Sequence, residues 1–186
     1  MLRGGTSVFD SISKDDLIMA FFPCVRFSHN AKLTFSGHSY GLKTWSTEKK
    51  LEHDIEFHAE LHDLYCLITK MVLVCMRKGL RLVIENPYGA QHYLVNYWAL
   101  KASIIDKDRT INGDYYKKPT QFFFVNCEPE QNFLFESLAY SKPRNVEHST
   151  RENGLKREVI RSLIHPQYAR RFIKMFLLDQ EAISVE

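Results

Sequence analysis

Two short, uninterrupted apolar runs stand out along the chain, Leu17-Ile18-Met19-Ala20-Phe21-Phe22 and Leu82-Val83-Ile84. Each ends abruptly in residues that carry chemistry, Pro23-Cys24 after the first and Glu85-Asn86-Pro87 after the second. A run without polar alternation is what a strand buried in a parallel sheet requires. These runs predict strands over residues 16–22 and 80–84. Between them, Leu51, Ile55, Leu61, Leu64, Tyr65, Ile68, Met71, Val72 and Cys75 recur at close to helical spacing, which predicts one long helix over 47–78. Ser46 stands at its N-cap, Glu48 and Glu52 suit its positive end, Arg77 and Lys78 its negative end, and Gly79 stops it. Strand, long helix and strand in that order predict a crossover that lays the two strands parallel. In open α/β sheets the ligand site lies beyond the carboxyl ends of such strands, so a thiol, a carboxylate and an amide arrive at one edge.

The remainder reads less regularly. Residues 25–46 are a mixed, aromatic-rich loop in which Tyr40 and Trp45 are candidates for stacking on nucleobases. A short amphipathic helix is expected over 88–101, a strand at Ser103-Ile104-Ile105, and a charged loop with an Asn112-Gly113 turn over 106–118. Gln121 to Val125 is a strongly apolar strand, expected to be central, and 127–157 is loop. Helices over about 156–164 and 167–183 close the chain, separated at His165-Pro166 because proline suits a helix start and breaks a helix interior.

A chain of 186 residues with 45% hydrophobic residues is long enough for one domain with a sizeable core. The four cysteines are scattered without paired spacing and no charged-then-apolar leader is evident, so a reducing, cytoplasmic setting without disulfides is expected. No run approaches the roughly 18 apolar residues of a membrane span. His58, His62 and Cys66 recur at i, i+4 spacing, but the outer two lie about 12 Å apart along a helix, too far to share one metal ion. No metal site is expected. The net charge of +3 hides a polarity: Ser141 to Lys174 holds nine Lys and Arg against three Glu, a net +6, and the rest of the chain sums to −3. Lys156, Arg157, Arg161, Arg170, Arg171 and Lys174 are therefore candidates for meeting a polyanion or a partner.

The ordered pair of motifs, Pro-Cys after one strand and Glu-Asn after the next with a long helix between, resembles the DNA (cytosine-5) methyltransferases, in particular their short phage-type versions. Lys118-Pro119-Thr120-Gln121 and His165-Pro166-Gln167-Tyr168-Ala169 are weaker echoes, and Phe22 stands where the family often has a second proline. The resemblance implies that the Cys24 thiolate would attack C6 of a flipped-out cytosine and that Glu85 would protonate or hydrogen-bond its N3. Asn86 would hold the loop, and Arg26 would help with the base or its phosphate.

The implied fold is α/β, a partial Rossmann-like methyltransferase sheet, mostly parallel, with a long crossover helix and C-terminal helices, over 1–186 as a single truncated domain. Only about 15 residues precede the catalytic strand, too few for the βα unit and glycine-rich turn that would hold S-adenosylmethionine. No cofactor is therefore expected unless a partner chain completes that site. The leading expectation is a phage or mobile-element protein derived from such an enzyme, not an autonomous methyltransferase, which acts by binding nucleic acid or a nucleoprotein. The alternatives are an active cytosine-5 methyltransferase subunit completed by a partner, and an inhibitor of a host CRISPR effector. Loss of the cofactor-side strands would leave residues 16–22 as an open edge, which predicts a homodimer, a partner docked there, or the first 15 residues folded over it.

Overall fold

The computed structural model describes residues 7–138, 159 and 162–179. These fall into two compact units, one within Met1–Ile105 and Gln121–Glu128, the other within Asp106–Thr120 and Pro129–Glu186. Among the described residues no helix is long and apolar enough to cross a membrane.

The first unit is built on α2, Thr47–Lys78, which begins and ends where its sequence signals stand. The Ser46 hydroxyl accepts from the Lys49 N–H, and Gly79, at φ 67°, turns its own N–H back onto the carbonyls of Cys75 and Met76. That left-handed conformation is one that glycine adopts without strain. One stripe of α2 (Phe57, Leu61, Ile68, Val72, Cys75) is buried. Most of it packs with Leu82, Ile84, Leu94, Trp98, Phe123 and Val125 in a single core. Each such side chain contributes about 1.5–3 kcal/mol when fully buried.

The sheet is four-stranded, in the order β1-β2-β4-β3, with β1 Leu17–Phe21, β2 Arg81–Pro87, β3 Ile104–Asp106 and β4 Thr120–Val125. β1 and β2 run parallel, Leu17 opposite Arg81 through to Phe21 opposite Glu85. The expectation of a mostly parallel sheet is corrected here, because this is its one parallel pair. The Asn126 side chain at the end of β4 donates to the carbonyls of Cys75 and Leu80, before β2, while Gln121 at its start donates to the carbonyl of Pro87, at the end of β2. β4 therefore runs against β2. β1 is not buried on both sides as its apolar run suggests. It is the edge strand, half-buried in the middle, with Phe21 58% exposed. Among the described residues no strand pairs with its outer edge.

Residues 7–16 are anchored elsewhere. An Asp10–Lys78 ion pair and a bond from the Arg81 guanidinium to the Asp15 carbonyl hold them, and Phe9 and Ile12 pack on the core. The loop expected over 25–46 contains a short helix, α1, His29–Phe35. The helix expected over 88–101 shrinks to α3, Tyr93–Tyr97. At Trp98 the backbone turns extended, and the buried indole meets Phe123 edge-on at 5.1 Å and donates to the Thr69 hydroxyl at 3.1 Å.

The second unit is organised by a buried ion pair, Arg109 with Asp114, each about 1% exposed. The Arg109 guanidinium lies 4.4 Å from the centre of the Tyr168 ring, and Asp114 accepts from the backbone N–H of both Tyr115 and His165. Gly113 has φ 91°, and a side chain there would meet Gln167 at about 3.0 Å. The last helix, α4, spans Pro166–Phe176 with His165 as N-cap. It ends earlier than the expected 183, where the Asn132 amide takes the carbonyls of Lys174 and Leu178. The helix expected over 156–164 lies mostly outside the described residues.

Candidate functional site

The parallel register sets Phe21 beside Glu85, so the chain leaving β1 and the end of β2 emerge together at one edge. β2 runs on to Pro87, which makes Glu85 and Asn86 strand residues rather than the loop that follows. Both are buried. The Asn86 amide donates to the Phe22 carbonyl at 3.4 Å and so ties the two strand ends together.

Beyond Pro23, the Cys24 carbonyl accepts from the N–H of Phe27 and of Ser28, at 3.0 and 2.9 Å, which bends the chain into a tight turn. Cys24 is half-buried at the head of that turn. Phe27 is its anchor: the ring is buried against His92 and Tyr93, and its carbonyl accepts from the Tyr93 N–H at 2.9 Å. The turn after β1 is thus fastened to the turn after β2. Gln121 completes the fastening, with its side-chain N–H donated to the Pro87 carbonyl at 2.8 Å and lying 3.4 Å from His92 Nδ1. His92 is wholly buried, and desolvation lowers its pKa from 6.5 to about 4, so its ring is neutral at neutral pH.

A thiol, a carboxyl and an amide therefore share one edge. Arg26 has its own partners. It pairs with Glu60 and lies over the Phe57 ring at 4.2 Å, both on α2.

The other sequence-selected residues are dispersed. Trp45 is half-buried, edge-on to His53, with the Lys49 ammonium 4.3 Å from its ring centre. Tyr40 stands 90% exposed. On α4, Arg171 is buried and donates to the Glu136 carbonyl, Lys174 pairs with the Glu136 carboxylate, and Arg170 is exposed. Lys156, Arg157 and Arg161 lie outside the described residues. Within the helix stripe, His62 meets Cys66 at 3.5 Å while His58 pairs with Asp54. Among the described residues no group of three metal-binding side chains converges.

Phe27, His92 and Gln121 are the residues that sequence reasoning passed over. Gln121 carried a signal in Lys118-Pro119-Thr120-Gln121, whereas nothing around His92 marks it as the joint between two turns. Beside this edge opens a cavity of about 620 Å³, which none of Cys24, Glu85 and Asn86 lines. No family model matches the chain, and no curated protein or solved structure does either.

Proposed function

We propose that this chain is a nucleic-acid-binding domain derived from the phage-type DNA (cytosine-5) methyltransferases, with a Rossmann-like ancestry. It uses the carboxyl edge of β1 and β2 to engage a cytosine-containing strand. The observation that carries this reading is the parallel register of β1 and β2, with Asn86 bonded to the Phe22 carbonyl, because it supports Cys24 and Glu85 acting on one base. Presenting a base there requires taking it out of the stack, at a cost of a few kcal/mol, least for a single strand. A single-stranded or distorted target is therefore preferred.

The test is fluorescence anisotropy with a labelled, cytosine-containing single strand. Binding should weaken steeply between about 50 mM and about 200 mM salt, because phosphate contacts release counterions. Glu85→Gln should erode the preference for cytosine over thymine, since N3 of cytosine accepts a proton and N3 of thymine does not. No binding at the lower salt would defeat the reading.

The second reading is a methyltransferase subunit completed by a partner chain, and the half-buried thiol of Cys24 favours it. The turn from β1 to α1, residues 22–28, has no glycine and that from β2 to α3 has only Gly89, so in this reading the glycine-rich turn for S-adenosylmethionine comes from the partner chain. In either reading the outer edge of β1 is the surface for a second copy or a partner strand, because no strand among the described residues pairs with it.

A further inference from the structure

The 620 Å³ cavity lies within the range of about 300–1,000 Å³ that holds small ligands. Its lining is of two kinds. Phe35, Tyr93 and Tyr97 supply rings, Arg26 and Lys32 supply cations with His58 beside them, and no Asp or Glu lines it. Tyr93 is fixed from behind by Phe27 and Tyr65 and meets Tyr97 at 5.0 Å, while Tyr97 is 69% exposed and has ring surface to offer. Phe35 is held edge-on by Phe57 at 4.5 Å. Arg26 is held in place by Glu60 and Phe57, and Lys32 has no ion pair among the described residues. Asn96 commits its N–H groups to the carbonyls of Ala90 and His92, which leaves its side-chain oxygen as an acceptor.

Rings alone would select any apolar compound and cations alone any anion. Together they select a flat, π-rich anion. We propose that this cavity binds a nucleoside monophosphate unit, the base against Tyr97 and Tyr93 and the phosphate toward Lys32 and Arg26. It is a second site. Its ligand class overlaps with that of the strand-end edge, but its lining does not include Cys24, Glu85 or Asn86, so the two can fail separately.

Calorimetry of the full chain tests it, with 5′-dCMP, 5′-dAMP, deoxycytidine and inorganic phosphate as probes. Both nucleotides should bind, roughly tenfold more tightly than the nucleoside or phosphate, because each fragment keeps only half of the recognition. Lys32→Glu and Tyr97→Ala change exposed side chains, so both variants should fold as the parent by circular dichroism. Each should weaken binding of 5′-dAMP, which the cytosine-selective edge does not recognise, roughly fivefold or more. A short single-stranded oligonucleotide separates the two sources of the unit. Displacement of 5′-dAMP by the oligonucleotide would make it one residue of a strand, and no displacement would make it a free nucleotide. Absence of nucleotide binding would overturn the proposal. So would equal binding of phosphate and nucleotide, or binding of 5′-dAMP that survives both Lys32→Glu and Tyr97→Ala.

Discussion

Asn86 and Phe22 are 64 residues apart in the chain, yet the amide of one donates to the backbone carbonyl of the other at 3.4 Å, and this bond joins the two strand ends that carry the thiol and the carboxyl. It is also the most economical point at which to disturb the edge. Asn86→Ala removes a buried side-chain hydrogen bond, so stability should fall by about 1–2 kcal/mol in a urea titration. Backbone amides of the turn after Cys24 should exchange faster in the variant than those of α2. Uniform loss of protection across the first unit would instead make Asn86 a general core residue.

Cys24 is the residue whose chemistry can be read without any methyl donor. Addition of a thiolate to C6 of cytosine pushes electron density to C5, which then takes a proton from solvent. Elimination of the thiolate with loss of either C5 hydrogen restores the base. In deuterated buffer a competent Cys24 and Glu85 pair should therefore place deuterium at C5, seen by mass spectrometry of the recovered strand, and Cys24→Ala should abolish it. Exchange by the parent chain would favour the subunit reading. Binding without exchange would favour a binder that keeps the edge but not the reaction.

His92 sets a pH dependence. Its folded pKa of about 4 lies below its ordinary 6.5, so the unfolded chain binds the extra proton between these values. Stability due to the buried neutral ring is fully present above about pH 6.5, is lost as pH falls toward 4, and flattens below. The loss over that window is of the order of 3 kcal/mol. The ring packs against Phe27 and lies 3.4 Å from the Gln121 amide. His92→Leu should flatten the slope between pH 6.5 and pH 4 relative to the parent. An unchanged slope would assign it to other groups.

Arg109 and Asp114 form the buried pair of the second unit, and removing one partner strands the other's charge. Arg109→Ala should cost about 3–5 kcal/mol. Arg109→Met with Asp114→Leu should recover part of that loss. Full recovery is not expected, because Asp114 also accepts from the backbone of Tyr115 and His165. Thermal unfolding of the three variants checks the order.

Sequence-local signals predicted what local chemistry decides. The cap at Ser46, the charges at both ends of α2 and Gly79 are properties of neighbouring residues, and α2 begins and ends where they place it. The shared edge followed from two apolar runs and a crossover. The direction of β4 was not legible, because Gln121 to Val125 is equally apolar whichever way it runs, and only the distant partners of Gln121 and Asn126 set its sense. Charge counting could not separate Arg170, exposed, from Arg171, buried one residue later, since burial depends on Glu136 more than thirty residues earlier. His92 was invisible for the same reason: its role comes from Phe27 and Gln121, which only the fold brings to it.

The measurement that bears most directly on the proposed edge is backbone hydrogen–deuterium exchange of the chain with and without a saturating cytosine-containing single strand. The proposed function predicts new protection concentrated in the turn after Cys24 and in the segment from Glu85 to Tyr93, diminished for a thymine-only strand. Protection confined to other surfaces, or none at a concentration where anisotropy shows full binding, would contradict it.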